Sequence, residues 1–182
     1  MLELALHILD IAENSTRAGA RHVYIHLNED REHDLLNLEI TDDGVGMDKE
    51  SLAKAVDPFY TTKKVRRVGL GLPMLAQAAE MTGGELILTS EPGKGTRLKV
   101  TFGLGHIDRQ PLGDAAGVMV TLIAGNPDID FTYCHDHGDQ SYLLSTEEIK
   151  KEIEDVPINH VEVLKYIRNH IAEGLKEIGS EA

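Results

Sequence analysis

The sequence predicts an α+β fold, a two-layer sandwich with a sheet on one side and helices on the other. Apolar and polar residues alternate in four short stretches, at 23–27, 36–40, 85–89 and 96–102. This period of two is typical of strands with one buried face. Apolar residues recur every three or four positions in 2–18 and 70–82, which predicts two amphipathic helices, and a short helix is expected near 49–56. Four strands and about three helices fit a domain whose helices cover one face of the sheet.

A second region follows the fourth strand. Glycines and a proline mark a connector over 103–113, where the alternation stops. Residues 112–124 are mostly apolar, so their pattern leaves helix and strand open. Four later segments predict a hairpin at 129–133 and 141–144, then amphipathic helices at 146–153 and 160–178. We therefore expect one domain over 1–103 and a small C-terminal α/β appendage over 104–182, with a regulatory or interaction role.

The composition argues against several functional classes. A formal net charge of −13 disfavours a broad surface for nucleic acid or an anionic membrane, because phosphates would be repelled. The single cysteine, Cys134, has no partner for an intramolecular disulfide. The longest apolar run, 117–125, is too short to span a bilayer, and the N-terminus lacks a basic leader. We expect a cytoplasmic protein with no nucleic-acid or membrane partner.

Two groups of residues in the first half of the chain suit nucleotide chemistry. Asp10 and Asn14 are four residues apart and share one face of the first helix. A carboxylate there could orient or deprotonate water, and an amide oxygen suits Mg²⁺. Asp42 at a strand exit could accept a hydrogen bond from an adenine amino group, while Gly44 and Gly46 would let the backbone approach a flat base. A solvated helix face and a plain Asp-Gly turn are the simpler explanations.

Two later motifs suit phosphate groups. Residues 57–67 combine hydroxyls with four cations, a local excess in so acidic a chain. Gly69 and Gly71 open the second long helix, where backbone amides can bind anions. Thr96 adds a hydroxyl at the start of the fourth strand. A solvated charge run and an ordinary helix start are the competing explanations.

The order of the motifs decides between these explanations. An Asn box, Asp-x-Gly-x-Gly, Phe-Tyr-Thr-Thr-Lys, Gly-Leu-Gly-Leu and Ser-Glu-Pro-Gly-Lys-Gly-Thr follow one another along the chain. This succession resembles the catalytic domain of sensor histidine kinases, which belongs to the GHKL (histidine-kinase-like) superfamily of ATPases. The resemblance covers about residues 5–102. It implies the Bergerat ATP-binding fold, with ATP and Mg²⁺ as cofactors.

The resemblance also implies a role for each matching residue. Asn14 would be the Mg²⁺ ligand, Asp42 would bind the adenine amino group, and Thr96 would support Asp42 through its hydroxyl. Asp10 stands at the position of the general base. Further nucleotide contacts are implied for the base-pocket glycines, the lid over the phosphates and the helix start: Gly44, Gly46, Phe59, Thr61, Thr62, Lys63, Lys64, Gly69, Leu70 and Gly71.

Two departures from the family pattern bear on activity. Asp10 is one methylene shorter than the usual Glu, which argues against efficient ATP hydrolysis. The resemblance begins almost at residue 1, so we expect no phosphoacceptor hairpin before the domain. Residues 106–112 match a phosphoacceptor box at four positions, which makes His106 a candidate phosphoacceptor. A linker histidine beside an Arg–Asp pair is the simpler alternative.

The C-terminal segment contains one further group of chemically capable residues. Cys134, His135, Asp136 and His137 could each bind a metal, but neighbouring residues of a strand point to opposite faces. With no second ligand cluster in the sequence, we expect a solvated hairpin tip. The apolar stripe of the last helix predicts packing on the main domain or on a second copy of the chain.

Three functions remain open at this point. The first is a signalling phosphotransferase of the two-component type that binds Mg·ATP and phosphorylates a histidine or a protein partner not yet identified. The second is a nucleotide-driven switch or slow ATPase that controls dimerisation or partner binding. The third is a serine protein kinase of the anti-sigma type. All three use the same ATP site and differ in what receives the phosphate.

Overall fold

The computed structural model describes residues 2–55 and 71–180. Its elements are α1 (Leu4–Arg17), β1 (His22–Asp30), β2 (Leu35–Asp42), α2 (Lys49–Ala55), α3 (Gly71–Met81), β3 (Leu86–Glu91), β4 (Gly95–Gly103), α4 (Ala115–Gly125), β5 (Asp130–His137), β6 (Gln140–Ser145), α5 (Thr146–Ile153) and α6 (Val161–Glu177). Within the described ranges, no helix combines the length and the apolar character needed to cross a membrane.

The strands of these two ranges form one six-stranded sheet in the order β3-β4-β2-β1-β5-β6. Neighbouring strands are antiparallel, except that β1 and β5 are parallel. Parallel strands cannot be joined by a tight turn and need a crossover connection. The chain from β4 to β5 supplies one and contains α4. β1 is consequently paired along both of its edges and lies inside the sheet.

One face of the sheet is buried under helices. Every second side chain of the two central strands is buried: Val23, Ile25, Leu27, Leu36, Leu38 and Ile40. The apolar stripe of α1, including Leu4, Ile8 and Ala12, packs into the same core, and α3, α4 and α6 complete the helical layer. The alternate residues of these strands remain partly exposed. The predicted two-layer α+β sandwich is therefore confirmed.

The segment that the sequence left open is a helix. α4 begins after Asp114, whose carboxylate accepts a hydrogen bond from the Gly117 amide at 2.8 Å. This helix contacts both α1 and α6. Because α4 is buried on more than one side, its sequence shows no amphipathic period that could have separated helix from strand.

Residues 104–182 extend the structure of the first region. β5 pairs with β1 from His22 to Glu29, and the predicted hairpin is formed by β5 and β6. Buried residues of both regions belong to one hydrophobic core. The expected appendage thus adds strands to the same sheet and helices to the same layer. The boundary at 103/104 coincides with the end of β4, and as a division between two domains it stays a prediction.

A buried polar pair ties β5 to β1. His135 Nε2 lies 2.8 Å from Glu29 Oε1, and their side chains are 0% and 1% exposed. The Ser180 hydroxyl donates to the same Glu29 oxygen at 2.6 Å, and the Tyr133 hydroxyl lies 2.9 Å from His135 Nδ1. A buried carboxylate is tolerated only with such partners. The pair therefore connects the C-terminal residues to the central strand.

Replacing Glu29 with alanine should lower the free energy of unfolding by about 3–5 kcal/mol, because His135 and Ser180 would lose their buried acceptor. Urea unfolding followed by circular dichroism measures this loss. Asp30→Ala is the matched control, since the neighbouring Asp30 carboxylate pairs with His33 at the surface. Equal losses in the two variants would contradict the assigned role of Glu29.

Candidate functional site

Asp42 is the last residue of β2 and its side chain points toward the helical layer. The residue is 8% exposed, and it continues the alternation in which Leu38 and Ile40 are buried. Ser15 Oγ donates to Asp42 Oδ2 at 2.6 Å, and the Gly44 amide donates to Oδ1 at 2.9 Å. Each carboxylate oxygen accepts up to two hydrogen bonds, so acceptor capacity remains. The carboxylate is thus held in one orientation by donors from α1 and from the loop after β2.

Ser15 is a site residue that the sequence analysis missed. It lies on the buried face of α1, one helical turn after Ile11, and is 4% exposed. A small hydroxyl on an otherwise apolar helix face is a signal that it pairs with another buried polar group. The sequence offered that signal, but not the partner, which comes from a strand 27 residues later.

Gly44 and Gly46 lie in a loop that is confined on two sides. A Cβ at Gly44 would lie 2.9 Å from the Ala18 carbonyl oxygen, and one at Gly46 would lie 2.0 Å from the Glu91 carbonyl oxygen. Gly46 also has a φ of +68°, which favours glycine. The loop between them is fixed by Val45, whose amide donates to the Ala18 carbonyl and whose carbonyl accepts from the Gly93 amide. The glycines are therefore required by close backbone packing.

Thr96 lies beside Asp42, since the two residues are directly opposite each other on β4 and β2. The Thr96 hydroxyl is 3.0 Å from Ser90 Oγ, and Ser90 also accepts a hydrogen bond from the Met47 amide at 2.8 Å. Ser90 is a second site residue missed by the sequence analysis. The two hydroxyls connect the β3–β4 turn to the loop that follows Asp42.

The neighbouring acid, Asp43, has a different task. Its Oδ1 accepts hydrogen bonds from the Arg21 and His22 amides at 2.7 and 2.9 Å, and His22 Nδ1 lies 2.9 Å from Oδ2. Burial by itself would raise the pKa of Asp43, but these bonds from His22 and Arg21 outweigh it and lower the pKa to about 2. Asp43 remains ionised and fastens the start of β1 to the end of β2.

Asp10 and Asn14 lie on a partly exposed face of α1, close to the start of α3. A Cβ at Gly71, the first residue of α3, would lie 1.9 Å from Asp10 Oδ2. Any larger residue at Gly71 would displace that carboxylate. Asn14 Oδ1 accepts a bond of 3.3 Å from Arg17 Nη1, in an exposed position. The predicted base, the predicted Mg²⁺ ligand and one predicted phosphate-binding glycine are therefore brought together.

The residues at the start of α3 suit a nucleotide that carries a cation. The amide end of α3 favours anions, but the Asp10 carboxylate beside it would repel a phosphate. Mg²⁺ takes oxygen ligands, and the Asn14 amide oxygen, one helical turn from Asp10 on the same face, would hold it and so offset this negative charge. The donor set is thus chemically suited to a Mg²⁺-bound nucleotide.

The remaining predicted site residues divide into two groups. Seven lie outside the described residues: Phe59, Thr61, Thr62, Lys63, Lys64, Gly69 and Leu70. His106 is described and exposed, and its Nδ1 accepts a hydrogen bond from the Asp108 amide at 3.1 Å. His106 comes shortly after Gly103, at the end of β4 that pairs with Leu35. Thr96 and Asp42 lie at the opposite end of this strand pair. Thr96 and Gly103 are seven positions apart in β4, about 23 Å, so His106 lies far from the Asp42 end of the candidate site, and its role as phosphoacceptor stays a prediction.

Comparisons with known proteins agree with this geometry. Residues 2–106 match the family model described as "Histidine kinase-, DNA gyrase B-, and HSP90-like ATPase". Sporulation kinase E of Bacillus subtilis (strain 168) is 42% identical over 73 residues, which are 40% of this chain and 10% of that protein. The non-motile and phage-resistance protein of Caulobacter vibrioides is 32% identical over 114 residues, 59% of this chain and 14% of that protein. The chain thus spans a small part of the length of these relatives.

A solved structure resembles most of the chain. The Aquifex aeolicus MutL ATPase domain, complexed with ADP, superimposes with a TM-score of 0.53 at 14% identity, covering 85% of this chain and 70% of that one. Because the superposition covers 85% of this chain, the similarity of fold extends beyond residues 2–106. Since the family model matches more than half of the chain and the fold and motif residues agree with it, the chain belongs to the family of histidine kinase-, DNA gyrase B- and HSP90-like ATPases.

Proposed function

We propose that this protein binds Mg·ATP at the site around Asp42 and transfers the terminal phosphate to a histidine or to a protein partner in signalling. The observation that carries the proposal is the Asp42 carboxylate, which is buried, oriented by Ser15 and Gly44, and still able to accept a hydrogen bond. An adenine amino group is a donor that such a carboxylate would select. Close packing at Gly44 and Gly46 sets the path of the loop beside this carboxylate.

The phosphates would extend from this pocket toward the start of α3. Gly71 offers a backbone amide there without a side chain, and Asn14 would hold Mg²⁺. Asp10 would then act on the attacking nucleophile, either water or the acceptor group of a partner. Its position next to Gly71 supports this role.

The acceptor of the phosphate is either His106 or a group on a partner. His106 is exposed and lies at the end of β4 away from Asp42, so either the same chain or a second copy could serve as its phosphate donor. A histidine or serine of a partner is the alternative acceptor, and γ-labelled ATP separates the two.

A nucleotide-driven switch or slow ATPase is the second candidate. The likeness to the MutL ATPase domain favours it, because that likeness includes residues after the matched family domain. In this case ATP binding would alter dimerisation or partner binding, and water would receive the phosphate. An anti-sigma-type serine kinase differs from the first candidate only in the acceptor residue.

The decisive experiment incubates the purified protein with γ-labelled Mg·ATP, alone and with candidate partners. Acid-labile label on the protein that is absent from His106→Ala would identify a self-phosphorylating histidine kinase. Label found only on an added partner identifies a protein kinase, and its stability in acid separates serine from histidine. Released phosphate with nucleotide-dependent dimerisation would identify the switch.

Asp42→Asn should weaken Mg·ATP binding by about 10–100-fold, because a hydrogen bond to a charged group contributes about 1.5–3 kcal/mol. Isothermal titration calorimetry with ATP and with inosine triphosphate, which lacks the 6-amino group, gives the test. The wild-type protein should prefer ATP, and the variant should lose that preference. Unchanged ATP affinity in Asp42→Asn would refute the assignment of the adenine site.

Gly46→Ala should reduce ATP affinity by more than about tenfold, a cost of about 1.4 kcal/mol, because the methyl group must displace the Glu91 backbone. Gly93→Ala is the matched control. Gly93 also has a positive φ, of +76°, but a Cβ there meets nothing within 4 Å. If both variants bind ATP equally well, close packing at Gly46 does not shape the pocket.

Asp10→Ala should leave Mg·ATP affinity nearly unchanged while lowering turnover by about 10²–10⁴-fold, the usual contribution of a general base. Phosphate release or partner labelling measures turnover, and calorimetry measures binding. Glu13→Gln is the control on the same helix, since Glu13 pairs with Arg17 at the surface. Normal turnover in Asp10→Ala would exclude Asp10 as the base.

A further inference from the structure

Three metal-binding side chains converge on the partly exposed face of the sheet, away from the helices. His26 on β1 and Cys134 on β5 are directly opposite each other, and Asp136 is two residues further along β5 on the same face. One ligand atom from each lies within 4.8 Å of the others, and all three residues are half-buried. This cluster combines a nitrogen, a sulfur and an oxygen donor.

The cluster differs from the one suggested by sequence proximity. His135 points into the core toward Glu29, and His137 Nδ1 lies 2.6 Å from the Ile178 carbonyl oxygen. Both histidines are therefore engaged elsewhere. Their place is taken by His26, which is more than 100 residues earlier in the chain and reaches Cys134 because β1 and β5 are neighbours.

We propose that His26, Cys134 and Asp136 form a Zn²⁺ site with three protein ligands and one position left for water or another ligand. Zinc accepts imidazole, thiolate and carboxylate ligands in tetrahedral geometry. Bond lengths of about 2.0–2.3 Å place tetrahedral ligand atoms about 3.3–3.8 Å apart. His26 Nε2 lies 2.7 Å from Asp136 Oδ2, and Cys134 Sγ lies 3.7 Å from Asp136 Oδ1. The first distance is shorter than this range and the second falls within it, and all three ligand atoms lie within 4.8 Å of one another.

Metal binding would change the hydrogen bonding within the cluster. Zn²⁺ would displace the thiol proton of Cys134 and the hydrogen bond between His26 and Asp136, and the thiolate and carboxylate charges would then balance the cation. Ser141 Oγ, 3.8 Å from Cys134 Sγ, lies where it could support a thiolate.

This site is independent of the proposed ATP site. The side chain of Asp42 points toward the helices, whereas His26 and Cys134 lie on the opposite face of the sheet. Failure of either proposal leaves the other intact, since they share no residue.

Titration of the untagged 182-residue chain with Co²⁺ tests the site. Cys134 is the single cysteine of the chain, so a thiolate-to-cobalt charge-transfer band has one possible origin. We expect this band at one equivalent of Co²⁺, with the intense visible bands of tetrahedral cobalt, and its loss when Zn²⁺ is added. No band at stoichiometric metal would overturn the proposal.

Variants separate a three-ligand site from binding by the thiol by itself. Cys134→Ser should abolish the charge-transfer band, and His26→Gln and Asp136→Asn should each weaken Co²⁺ binding by at least about tenfold, since even outer-shell partners contribute 10–100-fold. His33→Gln, which alters an exposed histidine paired with Asp30, should bind normally. Circular dichroism verifies that each variant is folded. An unchanged band and affinity in both His26→Gln and Asp136→Asn would refute the site.

Protection of the thiol gives a second readout. Zn²⁺ should slow alkylation of Cys134 by iodoacetamide in the wild-type protein and have little effect in His26→Gln. Equal protection in both proteins would contradict a role for His26 as ligand.

Discussion

The buried carboxylate of Asp42 joins three parts of the structure that are distant in sequence. Ser15 donates to it from the last turns of α1, Gly44 donates from the following loop, and Thr96 is its neighbour on β4. Because a buried carboxylate is costly without donors, the helix, the strand end and the loop must keep these positions together. The rest of the candidate site depends on this constraint. The α1 residues Asp10 and Asn14 are placed relative to the pocket by the same helix that holds Ser15.

Asp42 and Asp43 are consecutive acids with different roles at the candidate site. Asp43 forms three hydrogen bonds with Arg21 and His22, which hold its pKa at about 2 and make it a structural anchor. Asp42 is oriented but keeps acceptor capacity. The difference arises from the strand, because successive side chains leave it in opposite directions. One carboxylate faces the helical layer and the other faces the start of β1.

The C-terminal region adds a paired edge and a buried polar contact to the sheet of the family domain. β5 covers the edge of β1 that would otherwise be unpaired, and the buried pair of Glu29 and His135 fixes this contact from inside the core. On the other face, the same pairing brings His26 beside Cys134. One strand contact therefore contributes both to stability and to the proposed zinc site, through side chains that alternate between the two faces.

The sequence by itself determined most of the helices and strands, the layered fold class and the family, because hydrophobic periodicity and motif order are local properties of the chain. It also identified Asp42, whose position at a strand end is visible from alternation. The path of residues 112–124 was not determined, since a helix buried on several sides has no amphipathic period. Ser15, Ser90 and His26 required the tertiary structure, as did the separation of His106 from Asp42. The partners of these residues come from strands and helices that are distant in sequence. Which elements become neighbours depends on how the whole core packs, and a local sequence pattern does not contain that information.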